Sequence, residues 1–120
     1  MTDLEILVSA RAMIADVSDW WDGRHVAGER RITNCALSAL VALAPAERSL
    51  SAATKLAKAM GIASACDIPT YNDTRGHKAV ITAYDRAIAF ERAEVAVRAI
   101  MAEALQATTL AITDAPALVD

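Results

Sequence analysis

Cys35-Ala36-Leu37-Ser38-Ala39-Leu40-Val41-Ala42-Leu43-Ala44, closed by Pro45, decides the fold. Its small and aliphatic residues surround nearly the whole circumference of a helix, and such a helix has to be buried. The spacing therefore predicts a central helix over 34–44, with Asn34 as its N-cap. Pro45 stops it and can open the next helix at its first position. The run is too short to span a bilayer.

Working outward from this hub, every segment with a clear period reads as helix. On the N-terminal side, Ile6, Ala10, Met13, Ile14 and Val17 make one apolar stripe over 3–17. Thr2 and Glu5 have the spacing of a capping box at its start. Residues 18–33 break the pattern with Trp20-Trp21-Asp22-Gly23, then Gly28 and Glu29-Arg30-Arg31. They read as an ordered loop with an Asp-Gly turn.

On the C-terminal side, 46–60 is predicted helical, with Leu50, Ala53, Leu56, Ala57 and Met60 inward and Lys55 and Lys58 outward. Gly61 ends it as a left-handed cap. Residues 61–73 read as a second loop, because Pro69 and Asn72-Asp73 carry turn chemistry. Asp73 or Thr74 then caps a helical stretch with no glycine or proline between Gly76 and Pro116. Over 75–110 it is one helix of ~54 Å or two joined near Phe90 to Glu94. In the first case its far half outruns the domain and calls for a partner, most simply a second copy of the chain. The expected architecture is an all-α bundle of four to five helices in a single domain over 1–112, followed by a loose tail at 113–120.

Composition agrees. The chain is 55% hydrophobic but only 4% aromatic, and its abundant alanine favours helix over strand. The net charge of −3 is divided between an acidic N-terminal stretch and a small basic loop at Arg24, His25, Arg30 and Arg31. That loop has the chemistry to touch phosphate, but no basic face extends beyond it, so nucleic acid is not the expected partner. The N-terminus lacks a basic-then-apolar signal. A cytoplasmic location off the membrane is expected, with Cys35 and Cys66 as reduced thiols.

Four ordered pieces carry a resemblance. They are Trp20-Trp21-Asp22-Gly23, Cys35-Ala36-Leu37-Ser38-Ala39-Leu40, Asn72-Asp73-Thr74-Arg75-Gly76-His77, and Tyr84-Asp85-Arg86-Ala87-Ile88. Their order and spacing over roughly residues 4–92 resemble a small family of domains of unknown function in bacteria and their phages. The resemblance implies a compact helical domain and no particular reaction, cofactor or ligand. Beyond Arg92 the chain looks like an addition to the family pattern.

Among the chemistry-bearing residues, Asn72, Asp73 and His77 gather Asn, Asp and His in one turn, a set able to hold an ion or move protons. Helix capping explains the same residue types without a ligand. Arg86 is a candidate carboxylate or phosphate clamp, or with Asp85 a tether that pins a loop. Trp20 and Trp21 either line a cleft or plug the core under their loop. Cys35, at a helix start, has nucleophile character if His25 or His77 lies beside it, yet its apolar surroundings suit a small core residue. Cys35, Cys66, His25 and His77 lack the close spacing of a zinc site. No cofactor or metal is expected.

Two functions of different class follow. The first is a non-enzymatic protein-interaction module that self-associates, as a homodimer, through 93–110. The alternative is a small-ligand-binding protein or enzyme whose site lies between the Trp20–Gly28 loop and the Asn72–His77 turn, formed by Trp20, Trp21, Asn72, Asp73, His77 and Arg86. A third role, an accessory or inhibitor protein of a phage or mobile element, follows from the resemblance alone.

Overall fold

The Thr2 hydroxyl accepts the Glu5 N–H at 3.2 Å, and the Glu5 carboxylate accepts the Thr2 N–H at 3.1 Å. This capping box starts α1 (Asp3–Ile14). The structure, a computed structural model, describes residues 1–21 and 34–114. The expectations for the loop around Gly23, His25, Gly28 and Arg30 and for most of the tail fall outside those residues. Four further helices follow: α2 (Ala36–Leu43), α3 (Ala46–Met60), α4 (Ile68–Arg75) and α5 (His77–Asp114). Among the described residues there is no strand beyond an isolated bridge between Trp20 and Asn34. The fold is an all-α bundle with a long C-terminal helix.

α2 starts two residues later than its pattern suggested. Its N-cap is Cys35 rather than Asn34, with the Cys35 Sγ accepting the Ser38 N–H at 3.3 Å. Ala36, Ala39 and Leu40 are completely buried, whereas Val41 is 57% exposed. The helix is only eight residues long, and its neighbours α1, α3 and α4 cover one face of it.

α3 has the expected limits, and Gly61 ends it at φ 75, a conformation that favours glycine. Two of its side chains differ from expectation. Leu50 is 61% exposed, because Ser49 takes the inward position and its hydroxyl donates to Leu40 O at 3.2 Å and Ala44 O at 2.9 Å. Lys55 turns inward to two carboxylates described below.

The stretch read as a loop over 61–73 contains a short 3-10 turn and then α4, with Pro69 in its first turn. Proline at that position loses no needed hydrogen bond, so Pro69 starts a helix rather than marking a loop. Asn72, Asp73 and Thr74 are consequently inside α4 and do not cap α5. Gly76, at φ 89, turns the chain from α4 into α5 in one residue.

α5 is a single helix of 38 residues, not two. Its first four turns complete the core through Val80, Ala83, Tyr84 and Ala87. Tyr84 is fully buried, and its hydroxyl donates to Ala36 O at 2.6 Å. Burial pushes its pKa far up, which keeps it a donor. Every residue over 92–113 is exposed, and the molecule measures 82 × 25 × 22 Å.

Candidate functional site

Asn72 brings together three segments that are remote in sequence. Its Oδ1 accepts the Trp20 indole N–H at 2.7 Å and the Ala36 backbone N–H at 2.9 Å. Its Nδ2 donates to Trp21 O at 2.9 Å and to Asp73 Oδ1 at 3.1 Å. Both donors and both lone-pair directions of the amide are thus engaged by protein groups, and Asn72 is completely buried. It caps the N-terminus of α2 from a different helix. His77 stands beside it, with its ring 5.5 Å from Trp20 and its Nε2 donating to Ile14 O at 2.6 Å.

Of the six residues expected to form a ligand site, Trp20, Asn72 and His77 meet in this cluster. Trp21 joins through its backbone and is 39% exposed. Asp73 is exposed and contributes one carboxylate oxygen. Arg86 does not join. It is exposed, nine residues along α5 from His77, and it is not a tether. Asp85 is the tether, accepting from Arg11 Nε at 2.6 Å and linking α5 to α1. Cys35 acts through its sulfur as a helix cap. The arrangement fastens Trp20 and Trp21 to the start of α2 and to α4.

A second polar cluster escaped the sequence reading. Lys55 Nζ lies 2.9 Å from Asp3 Oδ2 and 2.7 Å from Glu91 Oε2, joining α1, α3 and α5. Asp3 and Glu91 are 7% and 4% exposed. Ser51 Oγ donates to Asp3 Oδ2 at 2.5 Å, and Arg98 Nη2 lies 3.1 Å from Glu91 Oε1. Asp3 Oδ1 is buried without a hydrogen-bond donor, with Arg48 Nη1 at 3.7 Å. Positions 3, 55 and 91 share no local motif. The only available signal was a lysine at a position where α3 faces the bundle.

The cluster makes stability depend on pH at both extremes. Burial pushes the Asp3 carboxyl up, but the Ser51 hydroxyl, Lys55 and Arg48 outweigh it and hold it below its ordinary value of 3.8. Burial likewise favours neutral Lys55, but Glu91 and Asp3 outweigh it and hold the ammonium above 10.5. The Asp3 contribution is present above 3.8 and is lost as pH falls through the lowered folded value. The Lys55 contribution is present below 10.5 and is lost as pH rises through the raised folded value. A melting-temperature series should therefore be flat between these limits for this cluster and fall beyond both. In Lys55→Met, the part of the alkaline fall above 10.5 that Lys55 causes should disappear.

The cluster separates two concavities. One, of about 320 Å³, lies between α3 and α5 and is lined by Ala59, Ala87 and Phe90 with Lys55, Lys58, Glu91 and Glu94 around them. The other is an open groove beside Asp3, Arg48 and Arg98. Among the described residues no three His, Cys, Asp or Glu side chains are grouped to hold a metal ion.

The largest unsatisfied feature is apolar. Val97, Ile100, Met101, Leu105, Leu110 and Ile112 on the outer half of α5 are 53% to 72% exposed. α5 is also long and apolar enough to cross a membrane, with an 18-residue window of mean hydropathy 1.4, none of it buried. No protein-family model, curated protein or solved structure matches the chain.

Proposed function

We propose that this chain is a helical protein-interaction module that associates with a second copy through the outer half of α5, without catalysis of its own. The observation that carries this reading is the run of exposed residues over 92–113, a stretch of ~33 Å at the rise of an α-helix. Over that length the helix gains nothing from tertiary packing, which supplies most helical stability in proteins, and a surface this rich in large aliphatic side chains marks an interaction site.

A bilayer is the competing occupant, and the charged and polar side chains of the stretch argue against it. A central Arg costs about 2.5 to 3.5 kcal/mol on insertion, while each Leu, Ile, Phe or Val returns only about 0.3 to 0.6. Val95, Val97, Ile100, Leu105, Leu110 and Ile112 together return about 2 to 4 kcal/mol. Against them stand Glu103 at the centre of the stretch, where an ionisable side chain is expensive, Arg98 nearer its end, and Gln106 with the threonines. This reading keeps the chain in the cytoplasm and off the membrane.

The ligand-site alternative, built on Trp20, Trp21, Asn72, Asp73, His77 and Arg86, draws no support from a cluster whose central amide is saturated. The mobile-element role rests on the resemblance and remains compatible with an interaction module.

Light scattering tests the proposal. The full chain is expected at twice its monomer mass, and a chain ending at Ala93 at the monomer mass. A full-length monomer that floats with phosphatidylcholine vesicles would replace self-association with membrane binding.

A further inference from the structure

The exposed stripe on α5 has a spacing that reads the same from either end. Phe90, Ala93, Val97, Ile100, Met101, Ala104, Thr108 and Ala111 are separated by intervals of 3, 4, 3, 1, 3, 4 and 3. Positions 90 and 111, 93 and 108, 97 and 104, and 100 and 101 therefore lie at equal distances from one midpoint. Two of the three outer pairs join a large side chain with a small one, Phe90 with Ala111 and Val97 with Ala104, and the third, Ala93 with Thr108, joins two small ones. Facing large against small is how helix layers interdigitate without voids.

Resting on the self-association proposed above, the geometry points to an antiparallel two-fold dimer whose axis passes between Ile100 and Met101, with Ile112 of each copy seated in the cavity between α3 and α5 of the other. A parallel pair would instead set Phe90 against Phe90 and Ala104 against Ala104, crowding one layer and emptying another.

The cavity follows from the same symmetry. At about 100° per residue, the stripe is turned about 120° from the face of α5 that meets the bundle. Ile112 projects from the flank of the stripe nearer the bundle. A two-fold axis perpendicular to both helices keeps equivalent flanks on one side of the pair. Ile112 lies as far beyond the midpoint as Ala89 lies before it, which sets it level with Ala87 and Phe90 of the other copy. There the 320 Å³ cavity opens, with Ala59, Ala87 and Phe90 as its apolar lining and Lys55, Lys58 and Glu94 around it.

The area suffices. Phe90, Val97, Ile100, Met101, Leu105 and Ile112 are 53% to 72% exposed. Covering about 100 Å² on each hides roughly 1,200 Å² over two copies, the lower edge of stable specific interfaces.

Disulfide trapping in a Cys35→Ser, Cys66→Ser background tests the orientation, with light scattering alongside. Met101→Cys, beside the axis, is expected to cross-link to itself. Val97→Cys alone is expected not to, and Val97→Cys with Ala104→Cys is expected to link efficiently. A dimer in which Val97→Cys cross-links alone is parallel, which overturns this arrangement and leaves self-association standing. A monomer overturns both. For the cavity, Ile112→Lys is expected to weaken the dimer at least tenfold, while Leu110→Lys, on the opposite flank, leaves it within a factor of two or three. Equal effects from the two substitutions would remove Ile112 from the cavity.

Discussion

Asn72→Ala should lower the unfolding free energy by about 4 kcal/mol, since each polar group left unsatisfied in the interior costs about 1 to 3 kcal/mol. Four groups lose a partner: the Trp20 indole N–H, the Ala36 N–H, Trp21 O, and the Asp73 carboxylate, which is exposed and is satisfied by water. The first is only half-buried, so water recovers part of its loss. A domain of this size has about 5 to 15 kcal/mol in total, so the variant should melt about 15 °C lower. Urea unfolding should show a reduced midpoint with an unchanged slope, the mark of lost stability rather than altered compactness. Asn72→Asp separates the two halves of the amide. It retains an acceptor for Trp20 and Ala36 but turns an oxygen toward Trp21 O and the Asp73 carboxylate, so it should be less destabilising in acid than at neutral pH. A loss below about 1 kcal/mol for Asn72→Ala would mean that these bonds do not hold Trp20 and Trp21 to α2 and α4.

The second large effect concerns association. Ile100→Asp with Met101→Asp should weaken self-association at least a thousandfold. In a two-fold pair each residue occurs twice, and burying one such side chain contributes about 1.5 to 3 kcal/mol. Because Ile100 and Met101 are 64% and 65% exposed, the bundle itself loses no contact. Circular dichroism should therefore show a chain folded through Glu91 with partial loss of helix beyond it, since a lone helix frays. Sedimentation over a range of concentrations reads the association. If the double variant dimerises as the parent does, the apolar face of α5 is not the contact.

Local signals and remote contacts fared differently in the sequence. Thr2 with Glu5, Pro45 and Gly61 act within a few residues of themselves, and each marks a helix end where the structure has one. Leu50 looked inward because it is large and aliphatic, but Ser49 bonded to the Leu40 and Ala44 carbonyls sets the rotation of α3. Pro69 suits both a loop and the first turn of a helix, and α4 was hidden by that ambiguity. Asn72 was picked out as part of a suggestive turn, yet its partners lie 36 and 52 residues away, and no local pattern distinguishes capping a neighbour helix from capping its own. The Lys55 cluster is a product of tertiary packing altogether. For the outer half of α5 the apolar stripe was legible, and the structure leaves it exposed.

The unbroken course of α5 has a mechanical consequence. The Lys55–Glu91 contact clamps the helix at the edge of the bundle, and from there to Thr113 it continues with no glycine or proline to absorb bending. A tilt of about 10° at that fulcrum carries the tip ~6 Å, given a rise of ~1.5 Å per residue. A small change in how the first turns of α5 seat on the bundle would thereby be magnified several-fold at the tip.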